Sequence, residues 1–252
     1  EHGIRHVFMV TGGGAMHLND SFGKNPSLQV TFNHHEQASA MAAEAYARLS
    51  GKIALVSVTS GPGGTNAITG VLGAWQDSIP MLVISGQVRY DTTVQSTGLN
   101  LRQLGDQEFD IARAVGMMCK YSVMVTDPSG IRYHLERALY LAKAGRPGPC
   151  WLDIPMNVQA AAIDSQNLKS YDPAEDSGEE PPAVTKETAR AIIDCLRSAK
   201  RPVVMAGSAI RLASAHEDFL RLVDQMNVPV VTAFNAHDCM PSDHHLFFGR
   251  PG

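Results

Sequence analysis

A short apolar run, a turn holding glycine or a polar residue, then a longer stretch with helical spacing recur along this chain, and a parallel α/β sheet is the architecture that accepts such a unit. The runs His6 to Val10, Gln29 to Phe32, Ile53 to Val58, Met81 to Ser85, Ser122 to Val125 and Cys150 to Ile154 read as strands. Between them, Ala38 to Leu49, Thr65 to Asp77 and Pro128 to Ala144 have the composition and length of helices. The expected fold class is therefore α/β, a doubly wound parallel sheet over residues 1–160. Residues 161–185 follow as an interdomain linker, polar and acidic from Asp164 and rich in proline at Pro181-Pro182. Residues 186–252 read as the beginning of a second α/β domain. Thr185 is the expected N-cap of a helix reaching Ser198, Pro202 to Ala206 a strand, Ala213 to Met226 a helix and Val228 to Thr232 a strand. The first strand starts almost at residue 1, and two strands with two helices make a poor domain, so the reading is a piece at both ends.

Composition narrows the classes of function. With 252 residues, 44% of them hydrophobic, the chain can bury a sizeable core. A net charge of -4 without any run of lysine or arginine argues against nucleic acid or an anionic membrane as partner. Small molecules are the expected partners. Cys119, Cys150, Cys195 and Cys239 are too widely spaced for a zinc site and fit buried thiols of the cytoplasm. No apolar stretch approaches the roughly 20 residues that cross a bilayer, and the opening residues lack the layout of a signal peptide.

Three segments follow strands where open α/β sheets collect ligands. Thr11-Gly12-Gly13-Gly14-Ala15 offers backbone unshielded by side chains, although triple glycine at such turns is more often conformational. Asn33-His34-His35-Glu36-Gln37 puts Glu36 near a helix N-terminus, where a carboxylate also serves merely to complement the helix dipole, worth about 0.3–1 kcal/mol. His34 and His35, as neighbours at a strand end, point apart and are expected to be structural. Thr59-Ser60-Gly61-Pro62-Gly63-Gly64-Thr65-Asn66 makes a rigid turn of close approach, which favours binding over an ordinary loop.

In this order and spacing these segments resemble the N-terminal pyrimidine-binding domain of thiamine diphosphate-dependent enzymes, in particular the acetolactate synthase-like group. The resemblance extends through Ala45-Tyr46-Ala47-Arg48, Gly51-Lys52, Asp77-Ser78-Ile79-Pro80, Ser85-Gly86-Gln87-Val88, Gly145-Arg146-Pro147-Gly148-Pro149 and Asp153-Ile154-Pro155, and so spans residues 3 to 158. Arg201-Pro202-Val203-Val204 and Val228-Pro229-Val230 resemble, more loosely, the start of that family's central domain.

The resemblance implies that Glu36 is the catalytic residue. It would contact N1′ of the aminopyrimidine and hold or share a proton there, in a partly dry pocket. It also implies that Gly13 and Gly14 pass close to the cofactor or substrate, that Pro62 and Asn66 shape the pyrimidine pocket, and that Gln87 lies in the substrate pocket. The implied activity is decarboxylation of a 2-oxo acid with carboligation, by a homodimer or homotetramer. Magnesium would be held through a Gly-Asp-Gly motif, which this sequence does not contain, in a further domain. Ala206-Gly207-Ser208 is a generic turn that admits FAD. Gly105-Asp106-Gln107-Glu108 lacks the aromatic residue that acetolactate synthases place before the Gln-Glu pair, and Thr93 to Leu104 is longer than in their pattern. A keto sugar or an aldehyde therefore fits as acceptor too. Residues 88–110 contain no histidine, which counts against simple decarboxylation to an aldehyde. The competing class is a noncatalytic binding or regulatory protein that keeps the fold. A nicotinamide-dependent dehydrogenase would need a G-x-G-x-x-G fingerprint with an acidic residue about 20 positions on, and the sequence has none.

Overall fold

A computed structural model describes residues 2–176, 178 and 183–250. The chain divides into two compact units between residues 177 and 178. In the first, strands β1 (His6–Met9), β2 (Gln29–Phe32), β3 (Leu55–Val58), β4 (Met81–Gln87), β5 (Tyr121–Met124) and β6 (Pro149–Pro155) form one parallel sheet in the order β2-β1-β3-β4-β6-β5. All six strands expected from the sequence are present, β2 with the expected ends and the other five with shifted ones. Strands β4 and β6 are buried along their whole length, which is why they read as unbroken apolar runs rather than as alternation.

Helices cover both faces. They are α1 (Met16–Lys24), α2 (Glu36–Ser50), α3 (Pro62–Gln76), the short α4 (Val94–Thr97) and α5 (Ile111–Ala114), α6 (Ile131–Lys143) and α7 (Met156–Gln159). One face of the sheet supplies Val7, Met9, Leu55, Leu82, Ile84, Cys150, Leu152 and Ile154 to a core completed by Ala138 and Ala142 of α6 and by Leu18 and Phe22 of α1.

The pair α2 and α3 positions the site, and it is built from small residues. Helix α2 buries Ser39, Ala40, Ala43 and Ala47, and α3 buries Gly63, Gly64, Ala67, Gly70, Val71 and Ala74. Both sets recur at helical spacing and make one face of each helix. Bulkless faces let the backbones approach. At Gly70 a β-carbon would lie 2.6 Å from Cβ of Ala40 and 2.9 Å from the Met41 nitrogen.

The linker expected over residues 161–185 departs from the structure in its first part. Residues 163–176 belong to the first unit and are strapped to α6: Arg137 pairs with Asp176 at 2.7 Å, Tyr133 donates to Glu175 at 2.7 Å and the Tyr171 amide donates to Glu136 at 2.8 Å. Two acidic residues of the stretch read as linker, Glu175 and Asp176, are thus partners of this helix. Residues 177 and 179–182 of that expected linker, and 251–252 at the other end, lie outside the described residues.

The second unit holds α8 (Lys186–Ser198), β7 (Val204–Ala206), α9 (Ala209–Leu212), α10 (His216–Met226) and β8 (Val230–Thr232). Thr185 caps α8 as expected, its side chain accepting from the Thr188 amide at 3.2 Å. The strands pair in parallel, and Val223, Val230, Cys239, Met240 and Leu246 are buried together. Three of the four cysteines are buried, whereas Cys195 is exposed. No helix of the described residues is long and apolar enough to cross a membrane.

Two glycines of α3 separate packing from propensity. Gly70→Ala should destabilise the first unit by about 1–3 kcal/mol through overpacking against α2. Gly73 has open space around it, so Gly73→Ala should be neutral or stabilising by up to about 1 kcal/mol. Urea unfolding midpoints of the two variants check this, and equal midpoints would contradict the close helix contact.

Candidate active site

Strand β2 ends at Phe32, which is 62% exposed, and the chain turns through Asn33, His34 and His35 into α2. His35 is the N-cap: its Nδ1 accepts from the Gln37 amide at 3.1 Å, so it is spent on the helix end, as the structural reading of the histidines expected. Glu36 is the first helical residue and only 8% exposed. Its Oε2 accepts a hydrogen bond from Asn66 Nδ2 at 2.9 Å, while its Oε1 has no hydrogen-bond partner among the described residues. Asn66 reaches it because it sits in the second turn of α3, on the side pressed against α2. Glu36 thus complements the positive end of its helix, yet keeps one carboxylate oxygen free beside an amide that fixes the other.

The glycine turns close in around this pair. Gly14 donates its amide to Thr59 Oγ1 at 3.1 Å, and its carbonyl accepts from Gln159 Nε2 of α7 at 2.7 Å. A β-carbon on Gly86 would lie 2.1 Å from that same carbonyl. The turn after β1 is therefore pinned from β3, β4 and α7. Gly13 is its exposed member, with open space where a side chain would stand. After β3, Gly61 has φ +54° and is the N-cap of α3, with Pro62 at the start of the helix. Only glycine fits there, since a β-carbon would also lie 2.3 Å from the Gln107 carbonyl oxygen. Gly13, Gly14, Glu36, Pro62 and Asn66 thus share the carboxyl edge of β1, β2 and β3. Cavities of about 440, 490 and 490 Å³ lie elsewhere, and Glu36 lines none of these three.

Gln87 stands differently from the other expected site residues. It is fully buried at the end of β4, and its side chain is engaged internally: Nε2 donates to the Phe109 carbonyl and to Asp153 Oδ2, both at 2.9 Å, and Oε1 accepts from the Val88 amide at 3.0 Å. Asp153 had been visible only as part of an Asp-Ile-Pro segment. In the structure it is buried at the register partner of Ser85, whose hydroxyl donates to Oδ1; Trp151 Nε1 in turn donates to that hydroxyl at 2.8 Å. Burial pushes the Asp153 carboxyl up to about 7, with the donors Ser85 and Gln87 pulling the other way and Asp110 adding to the rise. The sequence signal for this cluster was weak, a single aspartate inside an apolar run, because its partners come from a neighbouring strand.

A parallel α/β domain that gathers a buried, amide-paired glutamate and two pinned glycine turns at the carboxyl ends of its strands has them where open α/β sheets collect ligands. Sequence profiles give its family. Residues 1–113 match the profile of "Thiamine pyrophosphate enzyme, N-terminal TPP binding domain", and residues 189–252 match that of "Thiamine pyrophosphate enzyme, central domain". The chain belongs to the thiamine pyrophosphate enzyme family. It is 32% identical over 257 residues to an acetolactate synthase large subunit of Lactococcus lactis, covering 100% of this chain and 42% of that protein. It is 35% identical over 254 residues to an acetolactate synthase large subunit of Corynebacterium glutamicum, covering 98% of this chain and 38% of that protein. To the acetolactate synthase isozyme 3 large subunit of Escherichia coli it is 31% identical over 262 residues, 100% of this chain and 42% of that one. The chain spans about two fifths of the length of these relatives.

The raised Asp153 carboxyl predicts a pH signature. Its contribution to stability is fully present below its ordinary value of 3.8 and is lost as the pH rises through about 7. Between pH 4.5 and 7.5 the wild type should therefore lose stability relative to Asp153→Asn, which cannot ionise. Urea midpoints of both proteins across this range check it, and a difference that stays constant with pH would contradict the raised carboxyl.

Proposed function

We propose that this chain serves a thiamine diphosphate-dependent enzyme that decarboxylates a 2-oxo acid and joins the remaining fragment to an acceptor, and that residues 1–176 supply the pyrimidine-binding side of its site. The observation that carries the reading is Glu36: a buried carboxylate held by Asn66, with one oxygen unpartnered, among glycine turns of the unit that matches the TPP-binding domain profile. These residues fit the aminopyrimidine. Oε1 of Glu36 is free to hold or accept a proton at a ring nitrogen, and the Asn66 amide keeps the carboxylate from rotating away. When bound, the cofactor supplies an acidic carbon and an electron sink for the decarboxylation. Gly13 leaves room for close approach, Gly14 is the pinned backbone beside it, and the ring of Pro62 forms a rigid exposed rim at the start of α3.

Gln87 is assigned a positioning role rather than direct substrate contact, because its amide is consumed by Phe109, Asp153 and Val88. Magnesium is assigned to groups beyond these residues, since among those described no three His, Cys, Asp or Glu side chains converge to hold a metal ion. The Ala206-Gly207-Ser208 turn ends β7 and leads into the four-residue α9; the proposal gives FAD no step. A homo-oligomer is proposed because Glu36 lies at an open edge of the unit, beside the exposed Phe32, where a second surface would complete and dry the site. The four unpaired cysteines support the cytoplasm as location. The acceptor is proposed to be a small carbonyl compound, with the Asp106–Glu108 segment departing from the acetolactate synthase pattern.

The test is carbon dioxide release from pyruvate and other 2-oxo acids by the full-length protein with thiamine diphosphate and magnesium. Glu36→Gln should lower turnover by about 10²–10⁴-fold with folding intact, the range for loss of a positioned acid-base group. Asn66→Ala should cost about tenfold, through a carboxylate no longer held in place. Equal turnover in Glu36→Gln, or none in the wild type with any donor, favours the noncatalytic reading instead.

A further inference from the structure

The segment between β4 and α5 carries the acidic departure from the acetolactate synthase pattern, and two side chains hold it together. Glu108 gathers the interior: its Oε1 accepts from the Val94 amide at 2.6 Å, and its Oε2 accepts from the amides of Leu104 and Gly105 at 2.9 and 3.0 Å. Gln87 closes the base. Its Oε1 accepts from Val88, the first residue of the segment, and its Nε2 donates to the carbonyl of Phe109, the last. Residues 88–109 therefore form a loop whose two ends are tied by one amide. That amide has a third bond, to Asp153. Inside the loop Gln107 stands at φ +57°, and its carbonyl oxygen rests on Gly61, the N-cap of the helix that carries Asn66 to Glu36.

We propose that Asp153 is a positioning residue: an oxygen of its buried carboxyl group fixes the orientation of the Gln87 amide, and this amide clamps both ends of the 88–109 loop so that Gln107 stays seated on Gly61 beside the Glu36 site. An acceptor oxygen facing the Gln87 NH₂ is the group required at that place. Every polar neighbour of Asp153 named here is a donor: the Ser85 hydroxyl, itself used as acceptor by Trp151, and the Gln87 amide. An asparagine of the same shape turns an NH₂ group toward one of them. If it faces Gln87, the two NH₂ groups repel; if Gln87 then flips, its NH₂ meets the Val88 amide and its carbonyl meets the Phe109 carbonyl. In either of these arrangements bonds that tie the loop are lost; with its NH₂ turned to Ser85, whose oxygen can accept a second bond, the asparagine would keep its own oxygen on Gln87, so alanine is the substitution that removes the acceptor outright. Substituting Ser85 by alanine removes the other donor to Asp153 and leaves Trp151 Nε1 without its acceptor, but keeps the Gln87 clamp.

The functional half of this inference rests on the proposed role of Glu36; the clamp itself does not, and the experiment separates them. In the full-length protein, tryptic cleavage after the exposed Arg89 and Arg102 reports opening of the loop, alongside unfolding midpoints and turnover of 2-oxo acid. Asp153→Ala should speed cleavage at these two sites about tenfold, as expected for loss of a buried hydrogen bond that holds a local opening closed. Ser85→Ala should lower the unfolding midpoint while leaving loop cleavage within about threefold of wild type. Gln87→Leu should reproduce the opening even if Asp153→Ala does not fold. Turnover should follow loop opening, lower in Asp153→Ala and Gln87→Leu than in Ser85→Ala of comparable stability. Unchanged loop cleavage in the folded Asp153 or Gln87 variants, or the same increase in Ser85→Ala, overturns the clamp. An opened loop with wild-type turnover overturns its link to the site. Absence of turnover in every protein, the wild type included, refutes the link and the proposed activity, while the cleavage rates still decide the clamp.

Discussion

The contact between α2 and α3 sets the geometry on which the site depends. Two helices ordinarily pack with axes 8–10 Å apart, a spacing set by the side chains between them. Here those side chains are alanine, serine and glycine, and at Gly70 the backbone of α3 lies against that of α2 without space for a methyl group. Close approach lets a short side chain, Asn66, span from one helix to the first residue of the other. A carboxylate at a helix N-terminus is a common device. A carboxylate there that is buried, oriented by an amide from a second helix and left with one oxygen free is a chemical tool.

The rest of the first unit keeps that tool still. The turn after β1 cannot move without disturbing Thr59, Gly86 and Gln159, and the turn after β3 is wedged under the Gln107 carbonyl. A line of contacts runs from the middle of the sheet to the carboxyl ends of its strands, from Trp151 and Ser85 through Asp153 and Gln87 into the 88–109 loop, and from there to Gly61 and α3. The buried polar cluster is costly to assemble, and its members satisfy one another: the indole donates to the hydroxyl, the hydroxyl to the carboxylate, and the amide to the carboxylate and a loop carbonyl. Such a network has a unique arrangement, which an apolar filling of the same space would lack.

Much of this was legible in the sequence, for identifiable reasons. The strands announce themselves because parallel strands buried on both faces are continuous apolar runs, and Glu36, the glycine turns and Asn66 lie at their ends. Helix starts were less legible. Histidine is not a favoured cap, so Glu36 read as near the helix rather than as its first residue, and Gly63-Gly64 read as loop although Pro62 opens α3. Residues 88–109 have no period, because the loop is shaped by Glu108 and Gln87 side chains rather than by a repeating pattern. Acidic residues before position 177 read as part of an interdomain linker, whereas Glu175 and Asp176 are partners of α6. Asp153 was the hardest to see. Its significance lies in the cross-strand register with Ser85 and the diagonal to Gln87, neither of which local sequence encodes.

The measurement that tests the central claim most directly is exchange of the thiazolium C2 proton of thiamine diphosphate bound to the full-length protein, followed by NMR after transfer into D₂O, with Glu36→Gln as comparison. If the free oxygen of Glu36 activates the cofactor, the variant should still bind it but exchange the proton more slowly by about two orders of magnitude. Exchange as fast in the variant as in the wild type, with the cofactor bound in both, would contradict the assignment of Glu36.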